Sequence, residues 1–303
     1  MDYKKIIPNQ ELRLKILGLT EFIPDKVMIK LQYWIKTGRK LNLKDTERYN
    51  EKIQWYKLYY RDPLMTQCAD KYRVREYVTS KGLENILVPL YGAYDDAEDI
   101  DFDDLPDEFV LKTNNGSHTN ILCDSKSKLD IGVTIETLNS WLTERTAKAG
   151  REWAYYNIQP KIICEQYLDV GENNELVDYK FICFDGKVAC VFVNAERNSS
   201  EGLIFDIYNE AFKKLPYKRK GLRESITDFP KPINYDEMVE IAEILSVDFP
   251  HVRVDLYNIN GKVYFGEMTF YHASGYVEFE PDEFDFILGN QFELPPKKKE
   301  GNM

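Results

Sequence analysis

The sequence predicts an α+β fold in which helices and antiparallel hairpins build packed subdomains. Residues 10–82 are rich in helix-forming residues, with apolar side chains at helical spacing. The rest of the chain contains short apolar and aromatic strands, and two pairs of them flank the turn dipeptides Asp185-Gly186 and Asn260-Gly261. Since helices and hairpins alternate irregularly, we expect no Rossmann-type parallel sheet.

The composition is that of a well-packed globular protein. Of its 303 residues, 43% are hydrophobic and 14% are aromatic, which is enough for a sizeable core. The net charge of -11 argues against broad electrostatic binding to nucleic acid or to an anionic membrane surface. It leaves room for ATP, because a phosphate site needs only a few cations and backbone N–H groups.

The cysteine pattern and the lack of long apolar runs indicate a cytoplasmic, soluble protein. The five cysteines are odd in number and form no CxxC pair, which is typical of reduced thiols. They are Cys68, Cys123, Cys164, Cys183 and Cys190. The charged start, MDYKKIIPNQELRLKILGL, predicts no signal peptide, and no run reaches the roughly 20 apolar residues of a membrane span.

Three helices are predicted in the N-terminal part of the chain, in DKVMIKLQYWIKTGRKL, in NEKIQWYKLYY and in DPLMTQCADKYRVREYVTSKG. The third is expected to be continuous and to end at Gly82. The expected buried side chains are Val27, Leu31, Trp34 and Ile35 in the first helix, Ile53, Tyr56, Leu58 and Tyr60 in the second, and Tyr72, Val74, Tyr77 and Val78 in the third.

The later elements follow from alternation, turn residues and caps. Strands are predicted in ILVPLYGAY and EFVLKTN, on either side of an acidic loop with a short amphipathic piece. VTIETLNSWLTERTAK is expected to be a helix with Thr134 as its N-cap and with Leu138, Trp141 and Leu142 facing inward. Further strands are predicted in KIICEQYL and DYKFICFDGKVACVFVNAER, and a helix in YDEMVEIAEILSVDF.

The last hairpin, HVRVDLYNINGKVYFGEMTFYHASG, carries charged residues within otherwise apolar strands. A two-residue turn at Asn260-Gly261 would mix charge into the apolar face, so we predict a three-residue loop that starts at Ile259. This register sets Arg253 opposite Glu267. The expected apolar face is Val252, Val254 and Leu256 with Tyr264, Met268 and Phe270, and the expected polar face is Arg253, Asp255, Glu267 and Thr269.

The polar face of this hairpin has two interpretations that the hairpin alone leaves open. It is a solvated surface, or it is the floor of a site in which Asp255 and Glu267 hold one divalent cation. Carboxylate ligands with incomplete protein coordination suit Mg²⁺ that is also bound by phosphates.

Other segments give weaker signals on their own. Lys112 ends a strand that runs into the small-residue loop NNGSHTN, and Glu165 stands where an apolar strand breaks into an acidic loop. Lys180 lies among apolar residues, with Asp178 as its expected partner. The histidines, of which His272 is one, lack metal-ligand spacing, and a structural and a catalytic role stay open for each of them.

The order of these segments is more specific than any one of them. That order resembles the ATP-grasp superfamily. It runs from Asp70-Lys71 through Lys112 with its loop, EQYL before Glu172, and Lys180, to RVD and a late glutamate. Four segments resemble its TupA-like family, which is associated with bacterial surface-polysaccharide gene clusters. They are YRDPLMTQCADKYRVREYV, FVLKTNNGS, DYKFICFDG and VRVDLYNINGKVYFGEMTFYHASG. The resemblance implies an ATP-grasp fold, with two α+β subdomains clasping ATP and a helical N-terminal extension.

The resemblance also implies a role for each matching residue. For ATP these are phosphate contacts by Lys71, Lys112 and the loop residues Asn115, Gly116 and Ser117, an adenine hinge at Glu165, Gln166, Tyr167 and Leu168, and ribose binding by Glu172. Mg²⁺ would be held by Asp255 and Glu267, with Thr269 where many relatives have asparagine. Arg253 would stabilise the transferring phosphoryl group or the acyl phosphate, and Lys180 would be a catalytic residue that also neighbours the ATP phosphates or the metal site. His272 is a further catalytic candidate. His118 and Thr119 stand where smaller loop residues are usual.

The implied activity is an ADP-forming carboxylate–amine ligation through an acyl phosphate, on a precursor of a bacterial capsule or other surface polysaccharide. The substrates would be ATP, a carboxylate-bearing sugar or polysaccharide precursor, and an amine, with peripheral contact to membrane-linked assembly machinery at the inner membrane face left open. The alternatives are a sugar-nucleotide glycosyltransferase and an inactive ATP-binding module of an assembly complex.

The expected divisions are a helical region at 1–64, a first subdomain with the phosphate loop at 65–164, a second with hinge and metal site at 165–290, and a mobile tail at 291–303.

Overall fold

A computed structural model describes residues 18, 20–116, 119–143, 146–170, 176–196 and 199–296. Its helices are α1 Asp25–Thr37, α2 Tyr49–Tyr59, α3 Pro63–Ala69, α4 Val74–Ser80, α5 Ile131–Thr143, α6 Thr146–Gly150, α7 Tyr235–Ser246 and α8 Glu283–Gln291. Its strands are β1 Leu90–Tyr94, β2 Phe109–Thr113, β3 Asn120–Cys123, β4 Ile162–Gln166, β5 Asp178–Phe184, β6 Lys187–Ala195, β7 Ile204–Asn209, β8 Lys218–Arg219, β9 His251–Ile259, β10 Lys262–Thr269 and β11 Phe279–Glu280. Short 3₁₀ turns include Ala97–Asp99 and His272–Gly275.

The paired strands form antiparallel sheets, so the predicted α+β class is confirmed. The chain divides into two compact units. We call them the four-stranded unit, which comprises Pro63–Thr146 and Ala154–Asn174, and the five-stranded unit, which comprises Met1–Asp62, Ala147–Trp153 and Glu175–Met303. The five-stranded unit thus includes the N-terminal helices, while the predicted subdomain limits stay a prediction.

The four-stranded unit is built on a sheet with the strand order β1-β4-β2-β3. Strand β2 alternates buried and half-buried side chains, as expected for a sheet with one face on a core. The core cluster of this unit consists of Ala97, Ile100, Phe102, Leu105, Phe109, Leu111, Cys123, Leu138, Ile162 and Cys164. Because the acidic loop contributes Ala97 to Leu105 to this cluster, its predicted amphipathic piece is confirmed.

The five-stranded unit is built on a sheet with the strand order β10-β9-β5-β6-β7. Helix α7 packs against β9, β5 and β6. Strands β5 and β6 are joined at Asp185-Gly186, where Phe184 pairs with Lys187 and both turn residues have positive φ. The predicted two-residue turn at this hairpin is therefore confirmed.

Helix α2 packs against α8 at the other end of the chain. The Asp285 carboxylate accepts hydrogen bonds from the backbone N–H of Asn50 at 3.0 Å and from its side-chain amide at 2.9 Å. A Cβ at Gly289 would lie 2.0 Å from the carbonyl oxygen of Glu47, so only glycine allows this approach. Phe292, in the segment predicted as a tail, is fully buried, and residues 297–303 lie outside the described residues.

Helix α1 forms in the predicted segment and ends at Thr37, where Gly38 caps it with a φ of 71°. Its buried side was predicted wrongly. Ile29 and Tyr33 are buried against Leu41, whereas the four side chains that were expected to be buried are exposed. Those four are Val27, Leu31, Trp34 and Ile35. Two stripes of apolar residues share this helix, and periodicity alone does not say which one faces the core.

The third predicted helix is two helices, α3 and α4, that are separated at Asp70. The Asp70 carboxylate accepts from the backbone N–H groups of Tyr72 at 2.8 Å and Arg73 at 3.2 Å. A side chain that bonds its own following backbone competes with helix continuation, and this explains the break. Val74, Tyr77 and Val78 are buried as predicted, and Tyr72 is half-buried.

Helix α5 begins at Ile131, ahead of the predicted cap. The Asp130 carboxylate accepts from the backbone N–H of Val133 at 3.0 Å, so Asp130 is the capping side chain and Thr134 lies buried inside the helix. Leu138 is buried as predicted, with Trp141 and Leu142 packed against the same core.

All five cysteines are buried free thiols. In the part of the chain that the structure describes, none of the helices combines the length and the apolar character that crossing a bilayer requires.

Candidate functional site

The β9–β10 hairpin has a two-residue turn, and the predicted three-residue loop is wrong. Ile259 pairs with Lys262, and the turn residues Asn260 and Gly261 have φ values of 52° and 82°. Positive φ at both positions is what the common tight hairpin turn requires, and Asn-Gly is its preferred sequence.

A β-bulge at Gly266 changes the register inside β10. The pairing shifts between Phe265 and Glu267, so that Glu267 lies opposite Asp255. A Cβ on Gly266 would be 3.0 Å from the carbonyl oxygen of Asp255, which leaves little room for a side chain. Because side chains alternate faces, one extra residue turns Glu267 onto the face of Asp255.

The predicted composition of the polar face is confirmed, although its predicted register is wrong. Arg253 lies opposite Thr269 in the ladder, and Glu267 lies opposite Asp255. Tyr264 pairs with Tyr257 and so lies on the polar side of the hairpin, away from the expected apolar face. The buried apolar face comprises Val252, Val254, Leu256, Val263, Phe265, Met268 and Phe270.

Arg253 connects the two carboxylates of this face. Its Nε donates to Asp255 Oδ1 at 2.6 Å, and its Nη2 donates to Asp255 Oδ2 and Glu267 Oε1, both at 2.7 Å. Burial alone would lower the pKa of Arg253, but the carboxylates of Asp255 and Glu267 raise it overall. The guanidinium is therefore a permanent cation at the centre of the face.

Lys180, on the neighbouring strand β5, extends the cluster. Its Nζ lies 2.5 Å from Asp255 Oδ2 and 3.2 Å from Asp178 Oδ2. The predicted partnership with Asp178 is confirmed, and Asp255, which is opposite Lys180 in the sheet, is a second partner. Burial raises the pKa of the Asp255 carboxyl, and the charges of Arg253 and Lys180 oppose that rise.

His272, in the 3₁₀ turn after β10, contacts the same arginine. Its Nδ1 is 2.9 Å from Nη1 of Arg253, and because a guanidinium only donates, Nδ1 is the acceptor and Nε2 carries the proton. Burial, followed by the charge of Arg253, lowers the pKa of His272 well below its usual value, so the ring is neutral. Nε2 is buried without a hydrogen-bond partner among the described residues.

The oxygen atoms of this face fit a magnesium ion. Asp255 and Glu267 face each other across the ladder, and the Thr269 hydroxyl lies 3.1 Å from Glu267 Oε1. Among the described residues, no three histidine, cysteine, aspartate or glutamate side chains group as metal ligands. Two carboxylates that leave most positions to water and phosphate are the coordination that Mg²⁺ favours, and zinc would need a different set.

The four-stranded unit holds two of the predicted lysines, Lys71 and Lys112. Lys71 follows the break at Asp70, and its Nζ donates to the carbonyl of Gly116 at 2.7 Å. Asn114, fully buried, joins the elements, since its amide donates to Asp70 at 2.9 Å and its side-chain oxygen accepts from the N–H of Lys161 at 2.8 Å. Asn114 was not among the predicted site residues, because it belongs to an ordinary-looking Asn-Asn-Gly turn.

The loop after β2 is closed by threonines. The hydroxyls of Thr113 and Thr119 are 2.6 Å apart, and a Cβ at Gly116 would lie 2.3 Å from the Thr119 hydroxyl. Thr119, unexpected at this position from the family pattern, thus joins the two ends of the loop. Asn115 lies in the same loop, and Ser117 and His118 lie outside the described residues.

Lys112 and the predicted hinge are linked by an ion pair. Lys112 Nζ lies 2.5 Å from Glu165 Oε2, and Arg75 Nη1 lies 3.5 Å from Glu165 Oε1. Strand β4 ends at Gln166, one residue beyond the predicted break at Glu165. The next residues, Tyr167 and Leu168, have no regular structure, and Glu172 lies outside the described residues.

The structure thus brings six predicted residues together on one face of the five-stranded unit, namely Lys180, Arg253, Asp255, Glu267, Thr269 and His272. It places Lys71, Lys112 and Glu165 in the four-stranded unit. Asn194, which was not predicted, is buried opposite Asp178, and its Oδ1 lacks a hydrogen-bond partner among the described residues. Its signal was a polar residue at the polar-facing register of an apolar strand.

A family model described as TupA-like ATPgrasp matches residues 51–293, about four fifths of the chain. No curated protein matches the sequence.

Solved structures give weaker likenesses. A D-alanine–D-alanine ligase from Bacillus anthracis complexed with ATP has a TM-score of 0.41 and 17% identity over 67% of this chain and 55% of that one. An L-amino acid ligase from Bacillus licheniformis has a TM-score of 0.47 and 15% identity over 80% of this chain and 55% of that one. A D-alanine–D-alanine ligase from Helicobacter pylori has a TM-score of 0.41 and 16% identity over 75% and 61%. This chain thus spans between about half and three fifths of the length of these ligases.

Proposed function

The chain belongs to the TupA-like ATP-grasp family, and from that membership we propose that it is an ATP-dependent ligase that joins a carboxylate to an amine. One observation carries the proposal. Arg253, Asp255 and Glu267 form a single bonded group on one sheet face, with Lys180 on the next strand. Phosphoryl transfer requires positive charge and metal-binding carboxylates around the transferring phosphate, and this group supplies both.

In this proposal Asp255 and Glu267 hold Mg²⁺, with the Thr269 hydroxyl beside them. The ion, when bound, neutralises charge on the transferring phosphate and fixes its orientation. Arg253 already connects both carboxylates, and its Nη groups would stabilise the negative charge that develops on the γ-phosphate. The charge of Lys180 opposes the rise that burial causes in the pKa of Asp255, and its contact holds the carboxylate in place.

Lys71 and Lys112 are proposed to contact the nucleotide phosphates. Each now has a partner within its own unit, the carbonyl of Gly116 and the carboxylate of Glu165. A phosphate that binds there would add a stronger partner to lysines that are already positioned.

The proposed reaction has two steps. A carboxylate oxygen of the acid attacks the γ-phosphorus of ATP, the bond to the β-phosphate oxygen breaks, and ADP leaves with that electron pair. The nitrogen of a neutral amine then attacks the carbonyl carbon of the acyl phosphate, inorganic phosphate leaves, and the nitrogen loses a proton. The protein positions the reactants and balances charge, because phosphoryl transfer needs little covalent help.

We also propose a substrate class, which is a uronic acid or another carboxylate-bearing sugar in a bacterial surface-polysaccharide precursor. The support is the setting in which the TupA-like family is found.

The test supplies ATP, Mg²⁺ and pairs of acids and amines, and follows release of ADP. We expect ADP only when both an acid and an amine are present, and a loss of about a hundredfold or more in the rate for Glu267→Gln. Glu240→Gln, an exposed position on α7 of the same unit, is the matched control and should keep the wild-type rate.

Other products would decide against ligation. AMP in place of ADP is incompatible with an acyl phosphate formed by γ-phosphoryl transfer. Hydrolysis of a UDP-sugar that is insensitive to ATP would favour the glycosyltransferase alternative. ATP binding without turnover with any acid–amine pair would favour the inactive module.

A further inference from the structure

The small β8–β11 ladder sorts its basic residues onto two sides. Lys218 Nζ lies 3.6 Å from a carboxylate oxygen of Glu280, and Lys220 Nζ lies 2.8 Å from one of Glu278. Side chains alternate along an extended segment, so Arg219 is directed to the opposite side from these two ion pairs. Two of three consecutive cations are therefore neutralised by glutamates, and the middle one is treated differently.

Arg219 belongs to an aromatic cluster that also contains His272. Its guanidinium carbon lies 5.7 Å from the centroid of the Phe205 ring. The Phe205 ring is 5.0 Å from that of Phe192, and the Phe192 ring is 5.2 Å from that of His272. In the ladder Arg219 is paired with Phe279, which is buried. These contacts bring the arginine to the side of the sheet that carries the polar cluster, which is formed by Lys180, Asp178, Arg253, Asp255 and Glu267.

The guanidinium of Arg219 has no counter-ion among the described residues. Within the described ranges no carboxylate forms an ion pair with it, and its guanidinium lies over the face of the Phe205 ring. Burial, followed by the charge of Arg253, lowers the pKa of Arg219, so a second cation acts on it. A partly buried cation near another cation is unfavourable unless an anion joins them, and contact with an aromatic ring offsets only a small part of that cost.

His272 adds a second unmet donor. Because Nδ1 accepts from Arg253, the ring presents an N–H at Nε2, and this atom is buried without a partner in the ranges that the structure describes. Guanidinium N–H groups and a neutral imidazole N–H both donate to oxygen acceptors, and the charge of the guanidinium favours an anionic one.

The charges around Arg219 balance only while no metal is bound. Lys180 and Arg253 contribute two positive charges and Asp178, Asp255 and Glu267 three negative ones, so Arg219 brings the formal sum to zero. These carboxylates are engaged by Lys180 and Arg253, and none of the described carboxylates forms an ion pair with Arg219. A magnesium ion at Asp255 and Glu267 would make the sum positive and would favour an anion beside Arg219.

We propose that Arg219 and the Nε2–H group of His272 form an oxyanion subsite beside Arg253, and that this subsite holds the carboxylate of the acid substrate. The name of the ligand rests on the proposed ligase function, whereas the subsite itself rests on the unmatched donors. Arg219 acts here by binding the substrate, and a lysine at this position would keep the charge but lose the two-pronged contact.

The experiment measures binding of D-glucuronate to the full-length protein without ATP, by saturation-transfer NMR, with D-glucose as the uncharged control. The variants are Arg219→Gln and Arg219→Lys, and Lys220→Gln is the matched control on the other side of the ladder. We expect glucuronate to bind and glucose not to bind. Arg219→Gln should weaken glucuronate about tenfold or more, Arg219→Lys should be intermediate, and Lys220→Gln should change it less than about twofold.

Three outcomes would overturn the subsite. Glucuronate affinity that is the same in Arg219→Gln as in the wild type removes the arginine from the site. An equal loss in Lys220→Gln would mean diffuse surface charge. Binding of inorganic phosphate without binding of glucuronate would mean that a phosphoryl group, not a carboxylate, is the ligand.

Melting temperatures of the variants separate binding from folding, and Arg219→Lys preserves the test if the glutamine variant is unstable. The subsite and the ligase proposal fail in different ways. Arg219-dependent glucuronate binding with no ADP formation from any acid–amine pair keeps the subsite and removes the ligase. ADP formation at the same rate in the wild type and in Arg219→Gln, without Arg219-dependent glucuronate binding, keeps the ligase and removes the subsite.

Discussion

At the scale of single residues, Lys57 is the most unusual side chain outside the polar cluster. It is 1% exposed, and its Nζ donates to the carbonyls of Gly150 at 3.0 Å and Ser274 at 2.8 Å and to the Ser274 hydroxyl at 2.8 Å. Ser274 and its neighbour Ala273 have φ values of 57° and 45°, in the left-handed region that non-glycine residues rarely adopt. A buried lysine thus holds the strained turn that carries His272.

Burial lowers the pKa of Lys57 from 10.5 to about 7, and this makes stability depend on pH. Between these two values the unfolded chain binds a proton that the folded protein has lost, so the free energy of unfolding rises with pH. Between pH 7 and pH 9 this single group should contribute about 2 kcal/mol of that rise.

We therefore expect Lys57→Met to remove about 2 kcal/mol from the gain in unfolding free energy between pH 7 and pH 9, measured by urea unfolding. Lys44→Met, at an exposed position, is the control and should follow the wild-type pH dependence. If Lys57→Met and the wild type change equally with pH, Lys57 does not titrate in this range.

At the scale of elements, helix α1 shows that an apolar stripe is not always the buried one. Ile29 is fully buried in the cluster with Tyr33 and Leu41, while Leu31 is 44% exposed. Truncating Ile29 leaves a cavity in the core. Truncating Leu31 leaves no cavity, because solvent fills the space at an exposed position.

Ile29→Ala should lower the free energy of unfolding by about 2–5 kcal/mol, and Leu31→Ala should lower it by less than about 1 kcal/mol. Denaturant titration of both variants under the same conditions measures the difference. The reverse order would restore the buried side that periodicity suggested.

The bulge in β10 allows a similar comparison between two glycines of one hairpin. Gly266→Ala puts a Cβ 3.0 Å from the Asp255 carbonyl oxygen, so the bulge must shift and Glu267 with it. Gly261→Ala meets no atom within 4 Å but keeps a φ of 82°, which costs an alanine about 1 kcal/mol.

We expect Gly266→Ala to reduce the ADP-forming rate at least tenfold, because the metal carboxylates are displaced, while Gly261→Ala lowers stability and keeps the rate. Rates at saturating ATP and melting temperatures of both variants are the measurements. An active Gly266→Ala enzyme would show that the position of Glu267 does not depend on the bulge.

These elements also explain how far the sequence could predict the fold. Alternation of residue types found the polar face of the β9–β10 hairpin, because the face follows from the requirement to bury one side of a strand. It did not find the register, since a three-residue loop and a two-residue turn with a later bulge satisfy the same requirement. Gly266 inside a strand was the signal for the second solution. The break at Asp70 depended on a side-chain hydrogen bond that periodicity does not represent.

At the scale of the whole molecule, the N-terminal helices are an integral part of the five-stranded unit. Asp285 on α8 binds the start of α2 through Asn50. Gly289 lies against the carbonyl of Glu47, where a Cβ would come within 2.0 Å. Residues that are more than two hundred positions apart thus meet without space for another atom.

Gly289→Ala should therefore destabilise the five-stranded unit by several kcal/mol, because the displaced atom is backbone, which cannot rotate away. Hydrogen exchange should show loss of protection in β9 and β10 as well as in α2. Gly132→Ala in helix α5, where the nearest atom to a new Cβ is 3.5 Å away, is the control and should be neutral or stabilising. Unchanged protection of β9 in Gly289→Ala would mean that the N-terminal helices fold apart from the sheet.

The same scale decides which parts of the site could be found without a structure. Arg253, Asp255 and Glu267 belong to one hairpin, so local patterning located them. Arg219 comes from the basic segment PYKRKGLRES, in which three neighbouring cations look alike. Contacts distant in sequence distinguish them, because Arg219 pairs with Phe279 while Lys218 and Lys220 form ion pairs with Glu280 and Glu278.

The bulge in β10 also determines where related sequences can carry insertions or deletions in this hairpin. Insertions at the tip, at Asn260-Gly261, leave the ladder pairs nearer the site as they are, since Glu267 stays opposite Asp255 whatever the connection. Between Gly266 and Glu267, losing or gaining one codon would turn the glutamate to the apolar face, whereas a change of two codons would restore its direction. Related sequences of this family should therefore vary freely in length at the hairpin tip and, next to the glutamate, only in even steps.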